Sequence, residues 1–260
     1  MKEFIRITSK ENQLIKIVST LQNSAKTRRE NGQFILEGLR LCRDAVLNNY
    51  KVLTLIVSDT AMEKLNADIE KLAENSDNAY IVPDSLFKKM ADTVSPQGVL
   101  CLCEMPDFSN IKVRENGRYI ALEHLADPSN IGAIARTAEA LGIDGIFLSK
   151  DSCDPYGSKA LRASMGALLR IPIVICDDLI KTLKNSNFTI YGTVVDKTAQ
   201  NITETKFTDG VAIIIGNEAN GITEETKKSC HRLITIPMSG KAESLNAASA
   251  ASIVMWELCK

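Results

Sequence analysis

Among 260 residues there are two histidines, His124 and His231, far apart in the chain. That leaves little from which to build a hydrolase triad or a zinc site, and no G-x-S-x-G segment offers a nucleophile elbow. No G-x-G occurs, so the dinucleotide fingerprint is absent. Gly240-Lys241 lacks both the upstream glycine and the following hydroxyl residue of a phosphate-binding loop. The seven cysteines (Cys42, Cys101, Cys103, Cys153, Cys176, Cys230, Cys259) include no C-x-x-C pair. They read as small core residues of a reducing compartment, Cys101 and Cys103 alternating with Leu100 and Leu102 along one strand. No run approaches 18 uninterrupted apolar residues, and the opening MKEFIRITSKENQ has no apolar h-region. A cytoplasmic protein without a membrane span or a metal is therefore expected.

Net charge is also scarce, at −1, but it is unevenly spread. Residues 1 to 51 hold ten Lys and Arg against five Asp and Glu. Such an excess marks either an anionic partner or a solvated helix face. With 45% apolar and 24% charged residues the chain is an ordinary folded protein, long enough for two modest domains.

Residues 10 to 31, KENQLIKIVSTLQNSAKTRREN, place Leu14, Ile17, Val18 and Leu21 at helical spacing and end in the basic cluster Lys26, Arg28, Arg29. One amphipathic helix with a basic end is predicted there. Strands and helices then alternate to about residue 105, enough for a small α/β domain of its own. Residues 106 to 117, PDFSNIKVRENG, are polar, carry Pro and Gly, and lack periodicity, which predicts a linker. From Arg118 to Lys260 apolar strands alternate with helices, the pattern of a mostly parallel sheet covered on both faces.

Three loops of this second domain follow strands, where open α/β sheets bind ligands. In EHLADPSNIGAIARTAEALG, Pro128 turns the chain, Ser129 suits the cap of a helix to Leu141, and Gly142 ends it. Asn130 and Arg136 are not needed by that architecture, though on this segment alone a capping amide and a surface arginine are the better reading of each. In VAIIIGNEANGIT a buried strand meets Gly216, suited to close backbone approach, and Asn220-Gly221, suited to positive φ, with Glu218 at the mouth. In IPMSGKAESLNAASAASI, Ser244 suits the cap of a helix whose Ala247, Ala248, Ala250 and Ala251 let another element come close.

Taken together and in this order, DPSNIGAIARTA, IIGNEANGI and IPMSGKAESLNAASAASI resemble the three signature motifs of the SpoU (TrmH-like) branch of the SPOUT RNA methyltransferases. SKALRASMGALLRIPI is also similar to that family, and RRENGQFILEGLR with SPQGVLCLCE resembles the ribosomal-protein-L30e-like substrate-binding domain often fused in front. The resemblance implies a C-terminal α/β knot of mostly parallel sheet, closed as a deep trefoil, behind an L30e-like α/β domain. It implies a homodimer and S-adenosylmethionine cradled near Gly216, Asn217, Glu218, Ile236, Met238, Leu245 and Asn246, with Thr193 and Val194 beside them. It also implies methyl transfer to a ribose 2′-hydroxyl of RNA, with Asn130, Arg136, Glu218, Ser244 and Asn246 ordering the reaction. Ribosomal RNA is the expected substrate, held by Lys26, Arg28, Arg29, Arg40 and Arg136. Transfer RNA, or a non-catalytic ribosome-assembly factor of the same fold, are the alternatives. Asn217, Ala219 and Ala242 depart from the family's commoner residues.

Overall fold

The computed structural model describes residues 2–107 and 113–260. It divides into two units, residues 1–107 with 156–162 and residues 108–155 with 163–260. Part of the expected linker, 108–112, lies outside the described residues. Residues 113–117 are no free tether: Val113 packs on the second unit's core and the Arg114 guanidinium donates to Asp144 at 2.7 Å. Among the described residues no helix is long and apolar enough to cross a membrane.

The first unit runs β1 (Ile5–Arg6), α1 (Gln13–Asn23), α2 (Ala25–Asn31), β2 (Gln33–Glu37), α3 (Leu39–Leu47), β3 (Val52–Ser58), α4 (Asp59–Lys64), α5 (Asn66–Glu74), β4 (Ser76–Val82), α6 (Asp84–Met90) and β5 (Val99–Glu104). Its sheet has the order β1-β4-β3-β5-β2, with β5 antiparallel to both its neighbours and the other pairs parallel. Cys42, Cys101 and Cys103 are fully buried. A hydrogen bond with Cys42 and burial raise the Cys101 thiol well above its ordinary pKa, and burial does the same for Cys103, so both are core atoms rather than reactive ones.

The single helix expected over residues 10–31 is two. The backbone of Ser24 is extended, at φ −128° and ψ 107°, and its hydroxyl accepts from Thr27 N at 3.1 Å to cap a second helix. That break turns Arg28 inward. It is 6% exposed, and its guanidinium donates to the carbonyls of Leu21 and Gln22, the last turn of α1. The expectation that Arg28 meets RNA phosphate is corrected: it satisfies helix-end carbonyls that would otherwise lack donors. Lys26, Arg29 and Arg40 are exposed as expected, and Lys26 pairs with Glu30 at 3.7 Å.

The second unit contains β6 (Arg118–Leu122), α7 (Pro128–Ala140), β7 (Gly145–Ser149), the end of α8 (Ser158–Ser164), whose residues 158–162 belong to the first unit, β8 (Ile173–Cys176), α9 (Leu179–Asn185), β9 (Thr189–Thr193), β10 (Gln200–Asn201), β11 (Val211–Ile215), α10 (Glu224–Ser229), β12 (Arg232–Thr235) and α11 (Ala247–Leu258). The strands lie in the order β10-β12-β9-β11-β6-β7-β8, and every pair is parallel. All residues of β7 and β11 are buried, which is why these strands read as continuous apolar runs. From β6 the chain steps outward through β7 and β8, then returns to the other side of β6 for the rest. The crevice at the carboxyl ends of β6 and β11 is therefore the sheet's switch point. The last helix, α11, packs back against α7 and reaches β6 and β11.

Candidate functional site

Three loops leave the carboxyl ends of β6, β11 and β12. After β6, the expected cap is displaced by two residues: Asp127, not Ser129, caps α7, its carboxylate accepting from Ser129 N at 3.0 Å, with Pro128 in the first turn. Asn130 is thereby carried into the first turn of α7 and is 7% exposed. After β11, the loop closes on itself as Asn217 and Gly221 exchange backbone hydrogen bonds at 3.0 and 2.9 Å, Gly221 taking φ +68°. A Cβ at Gly216 would lie 2.1 Å from the Gly221 carbonyl carbon, so only glycine lets the two main chains pass. After β12, the cap of the last helix is again displaced by two residues, from Ser244 to Asn246, and the helix begins at Ala247. Asn246 is its cap, accepting from Ala248 N at 2.9 Å and Ser249 N at 3.2 Å.

One polar relay joins the three. Asn246 Nδ2 donates to Asn130 Oδ1 at 3.0 Å, and Asn130 Nδ2 donates to Glu218 Oε1 at 2.7 Å. The Glu218 carboxylate also accepts from the backbone amides of Ala126 and Asp127 at 3.3 and 3.4 Å. Partial burial pushes the Glu218 pKa up, but the Asn130 bond and the backbone donors outweigh it and hold the carboxyl below its ordinary value. Glu218 is thus an ionised acceptor near neutral pH. Beside it, burial and the charges of Glu218, Asp127 and Asp154 push the Cys153 thiol up to about 11, which removes it as a nucleophile.

A cavity of about 650 Å³ opens along the second and third loops, within the range of small-molecule sites. Thr193, Val194, Gly216, Asn217, Glu218, Ile236, Met238, Ser244 and Leu245 line it, all singled out from the sequence. Asn246 stands behind the lining as a cap and a link in the relay. The Asn217 side chain is spent within the protein, donating to the His124 carbonyl at 2.8 Å and accepting from Ala219 and Asn220 amides. The main chain from Gly216 to Ile222 lines the cavity with the charged side chains of Asp196, Lys197, Glu218, Lys227 and Glu243 and the apolar Ile236, Met238 and Leu245, a lining that suits a ligand with both polar and apolar parts. Ile222, Lys227, Ala247 and Ala250 also line the cavity and were not singled out as ligand contacts. The alanines had a signal, the small-residue stripe read as close packing.

Arg136 does not join this group. Six residues of helix separate it from Asn130, about 9 Å along the axis and about 240° around it. It is exposed on the other side of α7, in a shallow groove with Thr137, Ser252 and Trp256.

Two family descriptions match the sequence, the SpoU rRNA methylase family over residues 117–256 and the MRM3-like substrate-binding domain over residues 12–101. An uncharacterised tRNA/rRNA methyltransferase of Synechocystis is 31% identical over 96% of this chain and 92% of its own length. The 23S rRNA (guanosine(2553)-2′-O)-methyltransferase RlmP of Bacillus subtilis is 28% identical over 97% of this chain and 98% of its own. The crystal structure of an AdoMet-bound rRNA methyltransferase from Sinorhizobium meliloti superposes with a TM-score of 0.86 at 28% identity, covering 98% of this chain and 97% of that one.

Proposed function

Because the chain belongs to the SpoU rRNA methylase family, we propose that it transfers a methyl group from S-adenosylmethionine to a ribose 2′-hydroxyl of ribosomal RNA, in the cytoplasm. The observation that carries this reading is the relay Glu218–Asn130–Asn246, which draws the three loops together at one cavity. When bound, S-adenosylmethionine supplies an electrophilic methyl group on a sulfonium. Peptide groups of the loop from Gly216 and of the segment from Ile236 to Leu245 would hold it, and glycine at 216 lets that loop fold back on Gly221 beside the cavity.

The remaining task is to align an attack and stabilise a hydroxyl that is losing its proton. Glu218, ionised and saturated by donors, orders Asn130 rather than supplying a proton. A guanidinium is a fork of N–H donors with no acceptor, so the part of Arg136 is to clamp a phosphate and stabilise developing alkoxide charge. Within one chain Arg136 lies outside the cavity, and a second copy is what brings it to a nucleotide. The outer face of α7 and α11 supports such a homodimer: Trp256, 58% exposed, shares a groove with Arg136, and Ile253 of the same helix is 38% exposed. On this reading Lys26, Arg29 and Arg40 of the first unit contact RNA phosphates.

Calorimetry with S-adenosylmethionine followed by methyl transfer to total RNA tests the proposal. Saturable binding and label in ribosomal RNA are expected. Binding without transfer to any RNA favours the assembly factor, and label confined to transfer RNA moves the substrate.

A further inference from the structure

Glu123 follows the last residue of β6. In the structure it is 6% exposed, and among the described residues no cation pairs with it. Its Oε2 accepts from Thr223 N at 2.9 Å, and its Oε1 accepts from the hydroxyls of Thr223 at 3.0 Å and Thr226 at 2.5 Å. Burying a carboxylate is costly unless donors surround it, and here three do. The start of α10 does not need it, because Thr223 already caps that helix, its hydroxyl accepting from Thr226 N at 3.2 Å. An apolar residue would end a buried strand at lower cost.

What the carboxylate does is grip one end of the loop that begins at Gly216, while the backbone of the same residue grips the other. Glu123 N donates to the Ile215 carbonyl at 2.9 Å, immediately before Gly216. Its side chain holds Thr223, immediately after Ile222. The residues between, Gly216 to Ile222, all line the cavity. We infer that Glu123 is a positioning residue that clamps both ends of this loop, so that its peptide groups are set for S-adenosylmethionine before the ligand arrives. The inference rests on the proposed function for the identity of the ligand, and it adds a residue that works through the loop without touching the cavity.

Preorganisation acts on affinity, so the clamp is read in the dissociation constant for S-adenosylmethionine. Glu123→Ala is expected to weaken binding at least tenfold, with kcat at saturating cofactor within threefold of wild type. Glu123→Gln keeps the shape: its carbonyl oxygen can take the Thr223 amide while the two hydroxyls rotate to accept from its NH2. It is expected to stay within about threefold of wild type. Should Glu123→Ala not fold, Thr226→Val removes one donor at unchanged shape and is expected to weaken binding threefold to fivefold. A merely structural role lowers the melting temperature and the titrated stoichiometry but leaves the dissociation constant of the folded fraction alone. Unchanged dissociation constants in Glu123→Ala and Thr226→Val overturn the clamp while wild-type binding keeps the proposed function. A fall in kcat at unchanged affinity also overturns it, by moving Glu123 into the chemistry. Wild-type protein that takes up no S-adenosylmethionine overturns both.

Discussion

Replacing Asn130 by alanine cuts the relay at its middle. The bond to Glu218 is charge-assisted and short, 2.7 Å, and such bonds contribute about 1.5–3 kcal/mol. The bond from Asn246 is neutral, 3.0 Å, and adds about 1 kcal/mol. Glu218 keeps its two backbone donors and some water, so a net loss of about 2–3 kcal/mol is expected, read as a shift of the urea midpoint at unchanged slope. The loss should depend on pH. Asn130 is one of the groups holding the Glu218 pKa below its ordinary 4.5. A folded pKa below the unfolded one contributes stability above the unfolded pKa, and that contribution disappears as pH falls through the folded pKa. The gap between wild type and Asn130→Ala should therefore be full at pH 7 and shrink below about pH 4.5. A gap under about 0.5 kcal/mol at pH 7, where surface substitutions fall, would show that Asn130 joins nothing. A gap of equal size at pH 7 and pH 3 would show that the loss does not come from its bond to the Glu218 carboxylate.

Gly216→Ala puts a Cβ 2.1 Å from backbone that cannot move aside, and should cost about 3 kcal/mol or more in chemical denaturation while abolishing cofactor binding by calorimetry. Arg28→Ala leaves carbonyls at the end of α1 without donors and should lower stability by about 2–4 kcal/mol. Arg29→Ala, exposed on the next position, should leave the melting temperature alone and weaken RNA binding in a filter assay. Trp256→Glu places charge on the outer face of α11 and should yield monomer by light scattering, with S-adenosylmethionine binding retained and methyl transfer lost.

The three loops were legible because each combines signals that act locally. An apolar strand, a glycine and a turn or cap residue follow one another, and side chains such as Asn130 and Glu218 stand out as unneeded by the local structure. Cap positions were off by two residues at both α7 and α11, since several of Asp127, Ser129, Ser244 and Asn246 can cap and only packing decides which does. Arg28 was misplaced for a different reason. A basic residue in a basic cluster looks solvent-bound until the extended Ser24 breaks the helix and turns it onto carbonyls from the preceding turns. Glu123 was invisible because its three donors lie a hundred residues away. Arg136 was legible as a residue the helix does not need. Its separation from Asn130 follows from helical geometry, but the groove it lines with Trp256 is a tertiary feature.

Incubation of the protein with methyl-labelled S-adenosylmethionine and ribosomal RNA, followed by alkaline digestion, bears most directly on the function assigned to the three loops. Label should appear in an alkali-resistant dinucleotide, the product of ribose 2′-O-methylation, and should vanish with Gly216→Ala. Label recovered on a base, or no label from protein that binds the methyl donor, would contradict it.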